Sequence, residues 1–530
     1  MSAVPQHADS LHIEWTPTTN PWLIAGSVML ATFMVVLDSS VANVALPHIA
    51  GNLSASTDES TWVLTSYLVS NAIMLPAAAW IARRIGRKRL LIWSIVVFTV
   101  ASLLCGIAVN LPLLIVARVL QGLGGGGMQP VVQAILLESF PPHQRGKAMA
   151  VYGVGVVVAP VIGPTLGGWI TDSYSWRWIF YINLPVGVLA LLMVGAFVED
   201  PPYLKDKFRG AIDYLGFALM ALGLGALQLM LDKGQEADWF AENWMRWTAA
   251  VAVAALVAFV WREFTTAEPI VQLRVLHDRN FSVGILITAL YGVVLYGITA
   301  LLPLFLQTLL GYPALDSGLA VSPRGIGSMV SMVVVGVIVS YVDDRLLLAF
   351  GFLILAISTL MLARINLGIS MSSVAVPNLI NGFASGFIFV PLTTITMGRL
   401  RNHEIGNATG IYNLMRNLGG SVGIASVTTL LARGVQTHQV FLGQNISIYN
   451  PRFTAALEQT TARMQQYGMD ASTAQHSALG HLYRIVQQQA ALLAYTDNFR
   501  LLGGMALLCI PLAALFSRVP KRTGSSRGKQ

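Results

Sequence analysis

Charged residues are scarce in this chain. Asp, Glu, Lys and Arg make up only 11% of its 530 residues, whereas 55% are hydrophobic, and soluble globular proteins carry about 25% charged residues. A water-soluble protein of this length needs far more polar surface, so the composition excludes a cytosolic enzyme, a secreted domain and a disordered scaffold. A chain of this composition must be surrounded mostly by lipid, and we therefore predict an all-α integral membrane protein.

Cysteine is also scarce, and the sequence lacks the usual signals of a metal, nucleotide or nucleic-acid site. Cys105 and Cys509 both fall in apolar runs, which argues against a disulfide framework or a zinc site. Histidines do not cluster, and Gly122 to Gly127 follow no strand, so we expect no phosphate-binding loop. The net charge of +8 comes from basic residues in short loops, which the positive-inside rule explains better than nucleic acid does. We expect no metal and no cofactor.

Long apolar runs occupy most of the chain instead, and runs of about 20 residues predict fourteen transmembrane helices. An even number places both termini on one side, and most of the 33 lysines and arginines lie on that side, so both termini are predicted to be cytoplasmic. The first run is long enough to remain in the membrane, so we expect no cleaved signal. The predicted spans are 22–46, 61–82, 90–109, 113–137, 146–168, 178–198, 212–231, 246–263, 281–306, 317–340, 346–365, 374–397, 406–432 and 498–517.

The spacing of the spans predicts two six-helix bundles with an inserted helix pair between them. Two related halves around a central cavity are typical of secondary transporters. The second bundle includes a long outward loop, 433–497, whose stretch 452–492 lacks proline and is predicted to be helical. The predicted units are a tail (1–21), the first bundle (22–198), the linker with the inserted pair (199–280), the second bundle (281–517) and a second tail (518–530).

Asp38 is the acidic residue deepest in a predicted span, and charge at that depth needs a reason. It lies about 12 Å from the outer end of the first span, and Arg118 lies about 9 Å deep in the fourth, so the two can meet. A paired Asp stays ionised, whereas an unpaired buried Asp takes up a proton. Moving Arg118 away would therefore switch the protonation of Asp38. We interpret the pair as a proton-coupling device, with a fixed structural ion pair as the alternative.

Other polar residues inside the spans are candidates for a substrate cavity. Arg324 and Arg416 lie in the tenth and thirteenth spans, where they could attract an anionic substrate or bond backbone carbonyls at helix breaks. Asn43 and Gln121 are further cavity candidates. Asp213, at the inner end of the seventh span, is interpreted as an interfacial helix-start residue rather than a proton site.

Small residues recur every four positions in the fifth span and form one smooth stripe that lets helix backbones approach closely. Two prolines in the same span remove backbone donors and are expected to bend it. The pattern indicates either tight packing alone or a bent helix that seals or hinges the cavity. The stripe comprises Gly155, Ala159, Gly163 and Gly167; Pro160, Pro164 and Gly168 complete the pattern.

Basic residues crowd the loop between the second and third spans. They anchor the topology, and we expect a second role in contacting other cytoplasmic helix ends to hold one conformational state. The loop residues concerned are Arg83, Arg84, Gly86, Arg87 and Lys88.

Four motifs together resemble the major facilitator superfamily, specifically its fourteen-span drug:proton antiporters of the EmrB/QacA type. The segment 37–47 (LDSSVANVALP) is similar to the group's first-span signature, and 118–122 (RVLQG) is similar to a fourth-span motif whose Arg is implicated in proton transfer. The segment 159–168 (APVIGPTLGG) resembles the antiporter motif, and 176–185 (WRWIFYINLP) resembles a further signature. The resemblance covers nearly the whole chain.

One motif departs from the family pattern. The usual loop sequence G-x-L-A-D-R-x-G-R-K reads here as AWIARRIGRK over 79–88, so Ala79 replaces the glycine and Arg83 replaces the acid. The acid of the family's charge clamp between the two halves is therefore missing from this loop. Asp343 and Asp344 in the counterpart loop are candidates for the missing negative partner.

The resemblance implies an antiporter of the bacterial inner membrane that exports small hydrophobic or amphipathic compounds in exchange for protons, with Asp38 and Arg118 as the coupling residues. It also implies a periplasmic adaptor and a TolC-type outer-membrane channel as partners, with the loop 433–497 as the docking surface. The alternative role of that loop is to cap the mouth of the cavity.

Three other functions remain open at this point. The chain could be a proton-coupled exporter of one metabolite or siderophore, or a nutrient importer, against which the fifth-span motif argues. A membrane-embedded enzyme or receptor would need a polar catalytic cluster or a soluble sensory domain, and the sequence contains neither. We therefore predict a transporter and not an enzyme.

Overall fold

The computed structural model describes residues 17–201, 213–266, 268–444, 446–447 and 449–517. These residues are almost entirely helical, and no strand occurs among them. The predicted tail 518–530 and most of the tail 1–21 lie outside this part of the chain. The long helices are α1 (Pro21–Asn52), α2 (Trp62–Ile85), α3 (Arg87–Gly106), α4 (Leu111–Ser139), α5 (Arg145–Ser173), α6 (Asn183–Phe197), α7 (Tyr214–Lys233), α8 (Asn243–Thr265), α9 (Arg279–Leu304), α10 (Pro323–Ile338), α11 (Asp344–Leu362), α12 (Met371–Met397), α13 (Asn402–Gly443) and α14 (Ala471–Ala513).

Several short helices connect the long ones. Two single turns precede α2 and α6, and two longer pieces lie before α10 and between α13 and α14. The short α-helices are Thr57–Ser60, Trp178–Tyr181, Ala314–Val321 and Pro451–Gln466; 3₁₀ turns occupy Pro142–Gln144, Trp239–Ala241 and Leu273–His277, and a π-helical turn occupies Phe305–Leu309.

Thirteen helical segments of the described chain are long and apolar enough to cross a membrane, and they match the first thirteen predicted spans. The fourteenth predicted span is the C-terminal part of α14. Its apolar part is short, because Asp497 and Arg500 precede it and the helix ends at Ala513. The all-helical membrane architecture predicted from the sequence is confirmed.

The predicted outward loop is mostly helix, so the expectation for 452–492 is confirmed apart from a break after Gln466. Helix α13 has 42 residues, which makes it about 63 Å long, roughly twice the hydrocarbon thickness of about 30 Å. Helix α14 has 43 residues and packs against the short helix Pro451–Gln466. We call residues 433–497 the projecting segment, because its helices extend well beyond the length that a membrane requires.

The two sets of six helices have the same internal packing. Helix α1 packs against α4, α5 and α6, and α9 packs correspondingly against α12, α13 and α14. The pairs α2–α4, α3–α4 and α3–α6 likewise match α10–α12, α11–α12 and α11–α14. A shared pattern of neighbours is what an internal repeat produces, and it makes α1–α6 and α9–α14 the two halves of one transporter-like fold.

The helix ends nearest the chain termini are tied together by hydrogen bonds. The hydroxyls of Thr18 and Thr19 donate to Glu199 beyond the end of α6 and lower its pKa. The Nδ2 of Asn280, at the start of α9, donates to the carbonyl of Ser517 at 2.9 Å. The long helices of the described chain between these two ends are fourteen in number, and an even number of crossings returns the chain to the face where it began, which we call the terminus face.

The inserted pair connects the two halves. Helices α7 and α8 pack against each other, and α7 also contacts α2 of the first half and α13 of the second. Asp213 caps the start of α7 by accepting from the Gly216 amide at 2.9 Å, and Arg262 of α8 pairs with it at 3.2 Å. The interpretation of Asp213 as a helix-start residue is thus confirmed.

The glycine stripe of α5 packs against α1. A side chain at Gly155 would meet Met29, and one at Gly163 would meet Ser40. At Gly167 a Cβ would lie 2.8 Å from the Val41 side chain and 3.2 Å from its backbone. Ala159 is fully buried, and the helix continues through Pro160 and Pro164. The small residues therefore set the close approach of the two helices.

We predict that Gly163→Ala lowers the thermal stability of the purified protein while Gly168→Ala does not. Both changes raise helix propensity by up to about 1 kcal/mol, but only the first forces a methyl group into Ser40, and overpacking costs about 1–3 kcal/mol. At Gly168 the nearest atom to an added Cβ is 4.0 Å away. Thermal unfolding in detergent measures both variants, and equal melting temperatures would contradict the close-packing interpretation.

Candidate functional site

The side chains of Asp38 in α1 and Arg118 in α4 form an ion pair inside the first half. Arg118 Nη1 lies 2.6 Å from Asp38 Oδ2, and the two residues are 0% and 2% exposed, respectively. The contact predicted from their depths is therefore present. The two side chains can meet because α1, which carries Asp38, packs directly against α4, which carries Arg118.

Two amides complete the surroundings of the carboxylate. Gln121 Nε2 and Asn183 Nδ2 donate to Asp38 Oδ1 at 2.8 and 2.7 Å. Both amides also donate to the hydroxyl of Ser102 in α3, at 2.7 and 3.3 Å. Three donors on one buried carboxylate offset the loss of water that makes buried charge costly. The site is built to hold a negative charge in a place that water does not reach.

Arg118 is held from its other sides as well. Its Nε donates to the carbonyl of Val63 at 3.0 Å, and its Nη1 also donates to Gln121 Oε1 at 2.7 Å. The guanidinium lies 4.4 Å from the ring centre of Tyr67 and 5.6 Å from that of Phe180. Aromatic faces attract cations, so the ring pair helps to fix the arginine. One nitrogen, Nη2, is buried without a hydrogen bond, so the arrangement is not fully satisfied.

Asn183 and Ser102 were not singled out from the sequence. Asn183 lies in the 176–185 motif, and the turn Trp178–Tyr181 brings it to the start of α6. A lone amide in the apolar part of such a motif is a signal that could have identified it. Ser102 carries no such signal, since serine is common in transmembrane helices.

The structure places one cavity candidate elsewhere and leaves another exposed. Gln121 is fully buried and belongs to the Asp38 cluster, and its assignment to the substrate cavity stays a prediction. It lies one helical turn after Arg118, which directs it to the same face of α4. Asn43 is exposed and donates to the Ser39 carbonyl at 3.3 Å.

The remaining cavity candidates lie in the second half. Arg324, at the start of α10, donates from Nη1 to the hydroxyl of Thr299 at 2.7 Å. Arg416 of α13 is buried and donates from Nη2 to Gln129 of α4 at 2.9 Å. This bond crosses from one half to the other, so Arg416 lies between them.

Two acids that the sequence does not indicate as partners bind the loop between α2 and α3, which is rich in arginine and lysine. Arg87 pairs with Glu138 at the end of α4, and both side chains are buried. Gly86 has a φ of 91°, which favours glycine, and an added Cβ there would strike Asp200. Asp200 also accepts from the Lys88 amide at 2.9 Å. The loop is therefore held to the terminus face of its own half.

The remaining loop residues lie near other segments. Arg83 Nη2 donates to the Pro269 carbonyl at 3.2 Å, and Arg84 lies 4.8 Å from the ring centre of Trp80. Asp343 caps α11 through the Arg345 amide at 3.1 Å, and Asp344 begins that helix. The suggested role of Asp343 and Asp344 as partners for the loop arginines stays a prediction.

Two repeated six-helix halves, a helix pair between them and a buried acid–guanidinium cluster define a secondary membrane transporter. The sequence profile described as Major Facilitator Superfamily matches residues 28–424. The chain belongs to this superfamily and is a multi-pass protein of the inner membrane, so the assignment made from the motifs is confirmed.

Similar proteins align over nearly the whole chain. The "Multidrug export protein EmrB" of Haemophilus influenzae is 39% identical, covering 94% of this chain and 96% of its own. The "Fatty acid resistance protein FarB" of Neisseria gonorrhoeae is 38% identical, covering 92% and 94%. The structure of the proton:xylose symporter XylE has a TM-score of 0.59 at 14% identity, covering 94% of this chain and 99% of that one, which shows the fold alone.

We predict that Arg118→Gln destabilises the protein strongly and that adding Asp38→Asn restores part of the loss. The single change leaves a buried charge without its partner, at a cost of about 3–5 kcal/mol, whereas removing both charges avoids that cost. Thermal unfolding of the wild type, the two single variants and the double variant measures the coupling energy between the two side chains.

Arg500→Gln is the matched control for this cycle. Its partner Asp497 lies at 2.9 Å in an exposed ion pair, so the variant should lose about 1 kcal/mol or less of its free energy of unfolding. Additive effects of Arg118→Gln and Asp38→Asn would contradict a stabilising ion pair.

Proposed function

We propose that this protein is a proton-coupled multidrug efflux antiporter, which exports hydrophobic or amphipathic compounds from the cytoplasm or inner leaflet by alternating access. The single observation that carries the proposal is the buried Asp38–Arg118 pair within a fold of the major facilitator superfamily. Likeness over the full chain to "Multidrug export protein EmrB" supports the class of substrate. The energy source in this proposal is the proton gradient, and both termini face the cytoplasm.

Asp38 is the proton carrier in this mechanism. While Arg118 Nη1 bonds its carboxylate at 2.6 Å, the group holds its negative charge without a proton. When α1 and α4 shift and the guanidinium moves away, the uncompensated carboxylate takes a proton from the outer side. Return of Arg118 expels that proton toward the cytoplasm, so the cycle of the pair moves protons inward.

Helix packing supplies a route from substrate movement to this pair. Helix α1 carries Asp38 and rests on the glycine stripe of α5, and α5 in turn contacts α10 and α12 of the second half. Any rocking of one half against the other therefore displaces a neighbour of α1. A smooth contact of small residues permits such displacement without large steric barriers.

We predict that Asp38→Asn abolishes proton-driven efflux while leaving expression intact. Asparagine keeps the size of the side chain and cannot exchange a proton, so the coupling step is lost. Efflux of a fluorescent drug from energised inverted vesicles, with and without a protonophore, provides the measurement. Asp172→Asn changes an exposed acid at the end of α5 and should retain efflux. Full efflux by Asp38→Asn would remove this residue from the mechanism.

We also propose that the projecting segment docks a periplasmic adaptor, which leads to a TolC-type outer-membrane channel. The segment adds three helical pieces beyond the membrane length, and its short helix Pro451–Gln466 has no buried side chain. An exposed helical surface of this kind suits a partner better than it suits a plug of the cavity.

Deleting residues 445–470 should therefore reduce drug resistance of whole cells but not efflux into inverted vesicles. Vesicles lack the outer membrane, so transport there needs no adaptor. Drug susceptibility and vesicle transport measured in parallel separate the two roles. Equal loss in both assays would favour the cavity cap over the docking surface.

A narrower substrate range is the second candidate. The name of the relative FarB raises the option of an exporter dedicated to one class of amphiphile, metabolite or siderophore. A panel of drugs in a pump-deficient host tests this, because a dedicated exporter would confer resistance to one class only. The direction of flux in inverted vesicles tests the importer alternative.

A further inference from the structure

An apolar groove lies on the outer surface of the second half, among α10, α11 and α12, and its volume is about 440 Å³. Its walls include Val330 of α10, Ile354 and Ile357 of α11, and Leu379 and Phe383 of α12. Val330 and Ile357 are 51% and 49% exposed, so the groove is open along one side.

The groove faces the membrane and not the space between the two halves. Helix α10 turns another face toward α5 of the first half, since a side chain at Gly325 would meet Val161 and Met332 lies against Gly153. Met332 is two residues from Val330, which is about 200° around the helix. Helix α11 packs mainly against α12 and α14 of its own half. Lipid is therefore the solvent of this groove.

The groove lies in the leaflet opposite the terminus face. Because each long helix crosses the membrane once, α10 and α12 begin on that side and α11 ends there. Val330 follows the start of α10 by seven residues and Phe383 follows the start of α12 by twelve, which places them about 10 and 18 Å from the helix ends. One leaflet supplies about half of the 30 Å hydrocarbon layer, so the groove spans the depth of its acyl chains.

Aromatic rings close the groove toward the terminus face. The ring centre of Phe383 lies 5.1 Å from that of Phe387, which lies 5.1 Å from that of Phe350 in α11. At the base of the groove α10 and α12 touch, because a side chain at Gly327 would strike the carbonyl of Leu379. The groove is therefore closed at its deep end and open at the end away from the terminus face.

The polar side chains of the same helices face the protein interior. Asn381 Nδ2 donates to the hydroxyl of Ser358 at 3.4 Å, and the Ser328 hydroxyl donates to the Gly382 carbonyl at 3.0 Å. These three side chains are at most 1% exposed. Drug-sized ligands are usually fixed by a few polar groups, but every described residue that lines the groove is apolar. Such a surface suits a hydrocarbon chain better than it suits a drug.

An arginine lies at the open end of the groove. Arg364 follows Ile357 by seven residues, which is two helical turns on the same face and about 10 Å further out. Its side chain is exposed and forms no ion pair within the described chain. Arg324, near the same end of α10, is instead held by the hydroxyl of Thr299 in α9. Arg364 therefore places a positive charge at the level of the lipid headgroups.

We propose that this groove binds one acyl chain of an anionic phospholipid from the leaflet opposite the terminus face, with Arg364 contacting the lipid phosphate. The hydrocarbon chain matches the apolar walls in length and chemistry, and the phosphate matches the arginine in charge. Helix α10 is also the wall that contacts α5 of the first half. A lipid held here thus supports the outer face of a helix on which the two halves meet.

Native mass spectrometry of the purified full-length protein, titrated in detergent with dioleoylphosphatidylglycerol, tests the groove. We expect Ile357→Trp to weaken binding of the first lipid about tenfold or more, because the larger ring fills the groove and displacing even two methylenes accounts for such a loss. Leu346→Trp is the matched control. It places the same ring on the same face of α11, three turns nearer the terminus face at a position that is 66% exposed, and should bind like the wild type. Unfolding temperatures without lipid show that both variants are folded.

Arg364→Gln tests the contact with the headgroup. The wild type should bind dioleoylphosphatidylglycerol about fivefold more tightly than dioleoylphosphatidylcholine, because a single arginine near the surface contributes about that much toward an anionic lipid. Arg364→Gln should remove this preference. Arg433→Gln, which removes the charge of an exposed arginine in α13, should keep it.

Three results would overturn the proposal. Unchanged affinity of Ile357→Trp for the first lipid would remove the chain from the groove, and equal affinities of the wild type for the two lipids would remove the anionic headgroup. A dimer that is lost in Ile357→Trp would assign the groove to a second copy of the protein. None of these measurements involves transport, so their outcome is independent of the proposed efflux function.

Discussion

Charge placed in a membrane interior must be compensated, and in this structure the fully buried Asp38–Arg118 pair needs that compensation most. Neither group has contact with water, so their charges must be compensated by each other and by neighbouring dipoles. The chain meets this requirement with two amides, one backbone carbonyl and two aromatic rings drawn from α2, α4, the turn Trp178–Tyr181 and the start of α6. The same interactions that hold the charges also fix four helices around α1. Any step that separates the pair therefore also disturbs the packing of this half.

The two halves share their packing pattern but not their charges. In the first half Arg87 and Arg118 are buried and each has an acid as its partner, whereas buried Arg416 of the second half contacts amides and a ring. A repeated scaffold therefore carries two different electrostatic sites. The charge of the first is compensated by a carboxylate of the chain, and the charge of the second faces only neutral groups of the described chain.

The sequence predicts the fold and the central pair well, and it predicts the contacts between helices poorly. Counting residues along a span gives depth, and depth alone was enough to bring Asp38 and Arg118 to one level. Depth does not give the direction in which a side chain points, so it did not show that Gln121, one turn from Arg118 on the same face, contacts Asp38. The acids that hold the basic loop, Glu138 and Asp200, come from the ends of α4 and α6. Only the packing of those helices reveals that they meet the loop.

The inserted helix α7 constrains how the halves can separate. On one side, Asp232 accepts a hydrogen bond from Thr65 and Lys233 donates one to Thr61, both near the start of α2. On the other side, Gln228 bonds Ser421 at 2.8 Å, and the Trp239 ring nitrogen donates to Thr429 at 2.9 Å, both in α13. Separation of α2 from α13 must break one of these two sets. Hydrogen bonds to charged groups are stronger than those between neutral groups, so the neutral set toward α13 is the weaker of the two. Helix α7 is therefore expected to move with the first half, which leaves α13 and its buried cation on the opposite side of the opening.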